Sequence, residues 1–254
     1  MRVLLAIALL ISSLMPLQAQ EQVVAGISQD QISITTDFDG SELLIFGAVK
    51  RETAIQQDAP LEVIVTLSGP SGPLNVRQKS RRFGIWINTG NARMDAAPSF
   101  YAVNTTAPLD EILSVKANQI ARIKVNNAIL AIGAFGRVAN PGQYREALIR
   151  IRENDDLYQL NEGAVKFSEQ TLFQTRVTLP ANLTEGDFET RIFLLRGGEI
   201  VASYQDTLDV RKVGLGRWLY NLSKTNSPAY GVLALIIAVI AGWMASAVFG
   251  YFRR

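Results

Sequence analysis

The sequence predicts a mainly β protein with a helical insert (α+β). It reads as an immunoglobulin-like β-sandwich ectodomain followed by one C-terminal transmembrane helix. Three observations predict this. Short apolar/polar alternations separated by turn signals fill residues 23–106 and return after 164. Between them, from 107 to 161, the apolar spacing changes to a helical period. An uncharged apolar run then fills 229–252 and is followed by Arg253 and Arg254.

The strands come first. Gln31 to Thr36 alternates, with Ile32 and Ile34 on one face, and Asp37-Phe38-Asp39-Gly40 is a turn signal. Residues 42–49 and 61–67 are two more apolar strands, and Gly69-Pro70-Ser71-Gly72-Pro73 breaks the ladder after them. Residues 74–79, 83–88, 92–96 and 99–104 complete about seven short strands, the number and spacing of an immunoglobulin-like unit over 20–106. In 83–88 the alternation puts Phe83, Ile85 and Ile87 on one face and Trp86 on the other.

Pro108-Leu109-Asp110-Glu111 starts a helix, and Ile112, Leu113, Ala117, Ile120 and Ile123 continue it. Gly133 and Gly136 interrupt the helical segment. Asn140-Pro141 starts a second helix, with Asn as cap, Pro at the first position, and an apolar face of Tyr144, Ala147, Leu148 and Ile151. Strands return in the second β segment, 162–213, at 171–179, 188–195 and 200–210, the last two joined through the hairpin signal Gly197-Gly198. About 50 residues is small for an independent sandwich, so this segment is expected to pack on the helices or on the first β unit.

Both ends read as targeting or membrane segments. Residues 1–19 have the form of a signal peptide: Arg2, an apolar stretch from 3 to 14, and Ala19 at the cleavage position. Residues 229–252 are long enough to cross a hydrocarbon core of about 30 Å. The pair 253–254 is a cytoplasmic tail by the positive-inside rule, which places the ectodomain in the periplasm and the anchor in the inner membrane. Residues 214–228, with Trp218, Tyr220 and Leu222, are either a juxtamembrane linker or an interfacial amphipathic turn.

Charge and missing residue types narrow the chemistry. Setting aside Arg2, Arg253 and Arg254 leaves 22 Lys+Arg against 23 Asp+Glu, a net of −1 for 20–228. Nothing in that balance suggests a nucleic-acid partner. The chain has no cysteine and no histidine. Histidine-based triads, thiol nucleophiles and the usual zinc and copper ligand sets are therefore absent, and no cofactor, metal or catalytic residue is assigned. Ser-Lys pairs (Lys79-Ser80, and Ser114 near Lys116) and carboxylate clusters keep a membrane-tethered hydrolase as an alternative. Asp37 to Glu42 lacks the chelating spacing of a calcium loop and reads as a turn. Glu153, Asp155 and Asp156 read as a solvated helix end.

The strongest charge cluster is Arg77, Lys79, Arg81 and Arg82, with the first three on one face of a hairpin. It suits either a charged edge strand or a grip on lipid headgroups or a small anion. Trp86, Phe100 and Tyr101 are expected in the core, with a partner-binding surface as the other reading. The candidate partner or anion surface is thus Arg77, Lys79, Arg81, Arg82, Trp86 and Tyr101.

Gly84-Ile85-Trp86-Ile87-Asn88, the stretches 97–103 and 108–112, and Tyr144 to Leu148 with Leu157-Tyr158 form an ordered set. This set resembles an alphaproteobacterial transmembrane protein family of uncharacterised function with a single C-terminal span. The family pattern has a basic residue where this chain has Ala107. The resemblance covers the mature chain. It implies a bacterial cell-envelope protein with an accessory role beside sulfite-exporter-type permeases, and it supplies no catalytic residue. The leading expectation is a non-enzymatic envelope protein that binds the lipid bilayer through its anchor and a membrane-protein partner through its ectodomain. A small-anion-binding ectodomain is the remaining alternative.

Overall fold

The computed structural model describes residues 21–29, 31–35, 38–51, 59–131, 140–169, 171–213 and 215–252. The expected signal peptide, Asp37, the Gly133–Gly136 break and the two-arginine tail lie outside these residues. The chain opens with β1 (Gln22–Ile27), β2 (Gln31–Ile34), β3 (Ser41–Lys50) and β4 (Leu61–Ser68). A long hairpin follows, β5 (Ser71–Arg82) and β6 (Ile85–Pro98), and then β7 (Tyr101–Thr105). Four helices come next: α1 (Leu109–Ile112), α2 (Val115–Ala121), α3 (Val125–Ala128) and α4 (Pro141–Asn154). The last strands are β8 (Tyr158–Asn161), β9 (Lys166–Ser168), β10 (Leu172–Leu179), β11 (Gly186–Arg196) and β12 (Glu199–Lys212). Two helices close the chain, α5 (Leu215–Thr225) and α6 (Ser227–Phe252).

The fold is mainly β with some helices and one apolar C-terminal helix, as the sequence predicts. Two sheets carry it, a four-stranded one in the order β1-β3-β10-β9 and a six-stranded one in the order β2-β12-β11-β4-β7-β8. The strands after the helical insert pair directly with those before it: β10 with β3, and β11 with β4. The pairs β2/β12 and β7/β8 are parallel.

Burial follows from residue order. In β10 the alternation is complete, with Phe173, Thr175, Val177 and Leu179 inward and Gln174, Arg176 and Thr178 outward. Such a period-2 pattern suits a sheet with one buried face. In β4, Val63 to Leu67 are all buried, which fits its place between β11 and β7. Both sheets and the helices feed one hydrophobic cluster that includes Leu43, Ile45, Val65, Phe100, Phe188 and Ile192. Asn104 crosses within that core. Its amide donates to Thr175 Oγ1 at 2.7 Å and to the Arg176 carbonyl at 2.9 Å, while its Oδ1 accepts from Asn161 at 2.9 Å.

Two expectations change in detail. Residues 74–79, 83–88 and 92–96, read as separate strands, are parts of the single β5–β6 hairpin. Phe83 and Gly84 form its turn, with φ of 50° and 86°. Positive φ at both central positions matches the right-handed twist of the flanking strands, so the chain reverses here instead of running straight. The first helix splits into three. Ser114 caps α2 by accepting from Ala117 N at 3.1 Å, and Arg122, at φ 52°, stops it. Ile112, Leu113, Ala117 and Ile123 are buried as expected, whereas Ile120 is exposed. The second helix starts at Pro141 as predicted, but its buried pair is Leu148 and Ile149, and Ile151 faces solvent. Gly197 and Gly198 form the predicted β11–β12 turn, both at positive φ.

Register places two departures from the six-stranded sheet at the same end. Strand β4 leaves at Ser68, opposite Glu189; β12 passes Val210, opposite Gly186, and runs on toward α5 and α6. Pro70, at the root of the hairpin, packs against Gly186 so closely that a Cβ there would lie 2.9 Å from its ring. The β5–β6 arm and the chain that leads to α5 and α6 therefore leave the six-stranded sheet from neighbouring positions.

Candidate functional site

The arm comes from a sequence that alternates two kinds of residue. Pairs Leu74/Met94 and Val76/Ala92 face inward at its root, and Val76, Ala92 and Met94 are buried. The opposite face carries Asn75/Arg93, Arg77/Asn91, Lys79/Asn88 and Arg81/Trp86. A bulge between Gln78 and Lys79 absorbs Thr89 and keeps these two faces in phase to the tip. Arg77, Lys79 and Arg81 thus share a face, as the sequence predicts, and Arg82 lies on the other, across from Ile85.

Helix α4 braces the arm midway, where Tyr144 Oη donates to Gln78 Oε1 at 3.1 Å. Gly90 makes this possible, since a Cβ there would lie 2.1 Å from the Tyr144 oxygen. Beyond the brace no described residue covers the tip: Phe83 is 104% exposed and Trp86 68%. Trp86 was expected in the core. It lies instead where the hairpin has passed the edge of the sheets.

Tyr101, grouped with this surface on sequence, stands apart from it. It is buried, and its hydroxyl donates to the Ile123 carbonyl at 2.7 Å. Arg191 approaches the same oxygen at 3.4 Å, and Tyr158 meets the Tyr101 ring edge-on at 6.5 Å. Burial pushes the Tyr101 phenol up to about 12 despite the opposing charge of Arg191, and pushes Tyr158 up to about 12 as well. Phe100 is also buried, against Phe188.

The hydrolase candidates are placed as follows. Adjacent strand residues point to opposite faces, so Lys79 and Ser80 diverge. Ser114 Oγ serves as the α2 cap and lies 3.2 Å from Glu199 Oε1. A cleft of about 280 Å³ near the β8 edge includes Asp110, Lys124, Glu153 and Glu162. Asp110 pairs with Lys124, and Glu162 accepts from Leu109 N at 2.7 Å. Asp155 and Asp156 are exposed at the end of α4. Among the described residues no three potential ligands cluster around a metal position.

A second surface was not legible from sequence. The outer face of the four-stranded sheet carries an apolar groove of about 630 Å³, with Val24, Phe46 and Leu172 exposed beside Gly47 and Lys166 near one end. Gly26 lies beneath Phe46 on this face, where a Cβ would come within 3.3 Å of the ring; Gly47 faces the core, where a Cβ would lie 2.5 Å from the Phe173 ring. The strand alternation implied an outward face here. It did not imply that the outward residues of β1, β3 and β10 would meet, because that depends on the pairing of β3 with β10 across the helical insert.

The membrane segment is α6. Its stretch Ser227–Ser246 has a mean hydropathy of 2.0, and no part of it is buried in the protein. At about 1.5 Å per residue, 26 residues give about 39 Å, enough to cross a bilayer with tilt. Helix α5 precedes it, where the sequence left a linker and an amphipathic turn both open. Trp218, Leu219 and Leu222 recur there at helical spacing, and Ser227 Oγ donates to the Ser223 carbonyl across the break at Asn226.

Comparison with known proteins agrees with this anchor. No curated protein matches the sequence. Among solved structures, the crystal structure of Spo0M, a sporulation control protein from Bacillus subtilis, is similar at 12% identity and a TM-score of 0.26. That match covers 77% of this chain and 50% of the other, so the chain spans about half the length of that relative. A TM-score this low supports no inference about fold or role. The profile of the family described as "Putative transmembrane protein (Alph_Pro_TM)" matches residues 22–251, from β1 to the end of α6. The chain, with one apolar helix long enough to span a bilayer among its described residues, belongs to that transmembrane protein family.

Proposed function

We propose that this protein is a non-enzymatic, membrane-anchored binding or accessory protein. Its ectodomain stands in the periplasm, its C-terminus in the cytoplasm, and its partner is a membrane protein such as an exporter subunit. The observation that carries this reading is the open apolar groove on β1, β3 and β10, held on a chain with a single span. Exposed apolar surface rimmed by polar residues is the usual form of a protein-binding site. The span itself holds no Asp, Glu, Lys, Arg or His between 229 and 252, so any conduction path belongs to the partner. Two sheets around one core support the immunoglobulin-like reading of the scaffold. The use of Ser114 as a cap and of Asp110 and Glu162 in structural contacts favours binding over hydrolysis.

The test is affinity purification of the full chain from native membranes in mild detergent. A reproducible membrane-protein partner is the expected result. Recovery of the chain alone in every preparation would contradict the proposal.

A further inference from the structure

The arm has features that a protein-binding groove does not need. Its residues 71–94 carry five cations, Arg77, Lys79, Arg81, Arg82 and Arg93, and no acid. Among the described residues none of the five forms a salt bridge. Three of them repeat along one face, where they repel one another unless a polyanion lies against them. Among the described residues these five cations therefore have no ion-pair partner.

The order of residues along the arm adds a second constraint. Phe83 stands at the extreme tip; Arg82 and Arg81 are level with Ile85 and Trp86, on side chains long enough to reach back toward phosphates, and Lys79 and Arg77 follow behind. A bilayer surface has the same order in depth, with acyl chains inside, phosphates outside them, and indole rings settling at the boundary. The third observation is placement. The arm is about 40 Å long at about 3.3 Å per residue, and it springs from the same sheet end as the chain that leads to α6.

We propose that the arm tip is a second membrane contact: Phe83, Ile85 and Trp86 enter the headgroup boundary of an anionic phospholipid bilayer while Arg77, Lys79, Arg81 and Arg82 hold its phosphates. The bilayer is the one that α6 spans. An ectodomain held at two points is restrained in tilt, which fixes the direction in which its groove opens. This contact needs no protein partner, so it stands or falls separately from the proposed function.

The absence of cysteine allows a clean test with the full chain. Phe83→Cys is labelled with an environment-sensitive fluorophore and reconstituted in vesicles of neutral phosphatidylcholine, with or without phosphatidylglycerol. Lys116→Cys, exposed and near the Gly198 end of the sheet, is the aqueous control. In anionic vesicles the label at 83 should shift to the blue and be quenched by lipid-borne nitroxides. The shift should be lost in neutral vesicles, in high salt, and when R77E, K79E, R81E and R82E are combined. The label at 116 should stay aqueous throughout. Aqueous emission at 83 in every vesicle would overturn the proposal. A blue shift that lipid nitroxides leave unquenched would also overturn it, and would assign the tip to a protein surface. Equal quenching in neutral vesicles would overturn the role given to the four cations.

Discussion

At the scale of single residues, a few side chains hold the β-rich domain in ways that can be measured. Glu21, the first described residue, accepts from Arg51 Nε at 3.0 Å and from Arg196 Nη2 at 2.9 Å, with all three side chains largely buried. Removing the carboxylate takes a shared acceptor away from two largely buried guanidiniums. Glu21→Ala should therefore destabilise the fold by about 3 kcal/mol, read from denaturant midpoints. Gly47 is fixed by close approach from both sides. Gly47→Ala must displace the Phe173 ring and the β1 backbone, at a cost of roughly 1–3 kcal/mol measured in the same way.

The two buried phenols give a pH signature. Burial favours the neutral form, so Tyr101 and Tyr158 ionise at about 12 in the folded protein, above the ordinary value of 10.0. Their folded-state values are raised. Their contribution is therefore complete below the unfolded value and is lost as pH rises through the folded one. Stability should be flat with respect to these groups up to about pH 10 and fall between about 10 and 12. The full effect is on the order of 3 kcal/mol per phenol. Tyrosinate absorbance should show a late-titrating component, and Tyr101→Phe should reduce it by one group.

At the scale of elements, the sequence was most readable where one period ran without interruption. The alternation of β10, the Gly197-Gly198 turn and the Pro141 helix start all appear in the structure as read. What local pattern could not supply was pairing. Nothing in 41–50 or 172–179 says that these strands lie side by side, since their contact spans the helical insert. The turn and the length of the hairpin arm were missed for a different reason. Arg82-Phe83-Gly84 lacks the Asn-Gly or Asp-Gly signal of a tight turn, so Phe83 read as part of a strand. Its neighbour Trp86 is apolar by type, and type alone suggests a core position. Only the length of the arm beyond its brace at Tyr144 puts it in solvent. The candidate cluster was accordingly half legible: the shared face of Arg77, Lys79 and Arg81 followed from alternation, while the separation of Tyr101 followed from tertiary packing.

At the scale of the whole molecule, the described residues form a β-rich domain with a groove on one sheet, an arm at one end of the other sheet, and one helix long enough to span a membrane. The orientation can be read with cysteines placed in a chain that has none. In intact spheroplasts, Lys116→Cys should react with a membrane-impermeant maleimide and Arg254→Cys should react only after lysis. The reverse pattern would invert the topology.

The most direct test of the binding role compares the wild-type chain with Phe46→Lys. Phe46 is exposed at the centre of the groove, so the substitution should change stability by no more than about 0.5 kcal/mol. Quantitative purification from membranes should then recover the partner with the wild-type chain and lose it with Phe46→Lys at equal expression. Equal partner recovery with both chains would contradict the assignment of the groove as the binding surface.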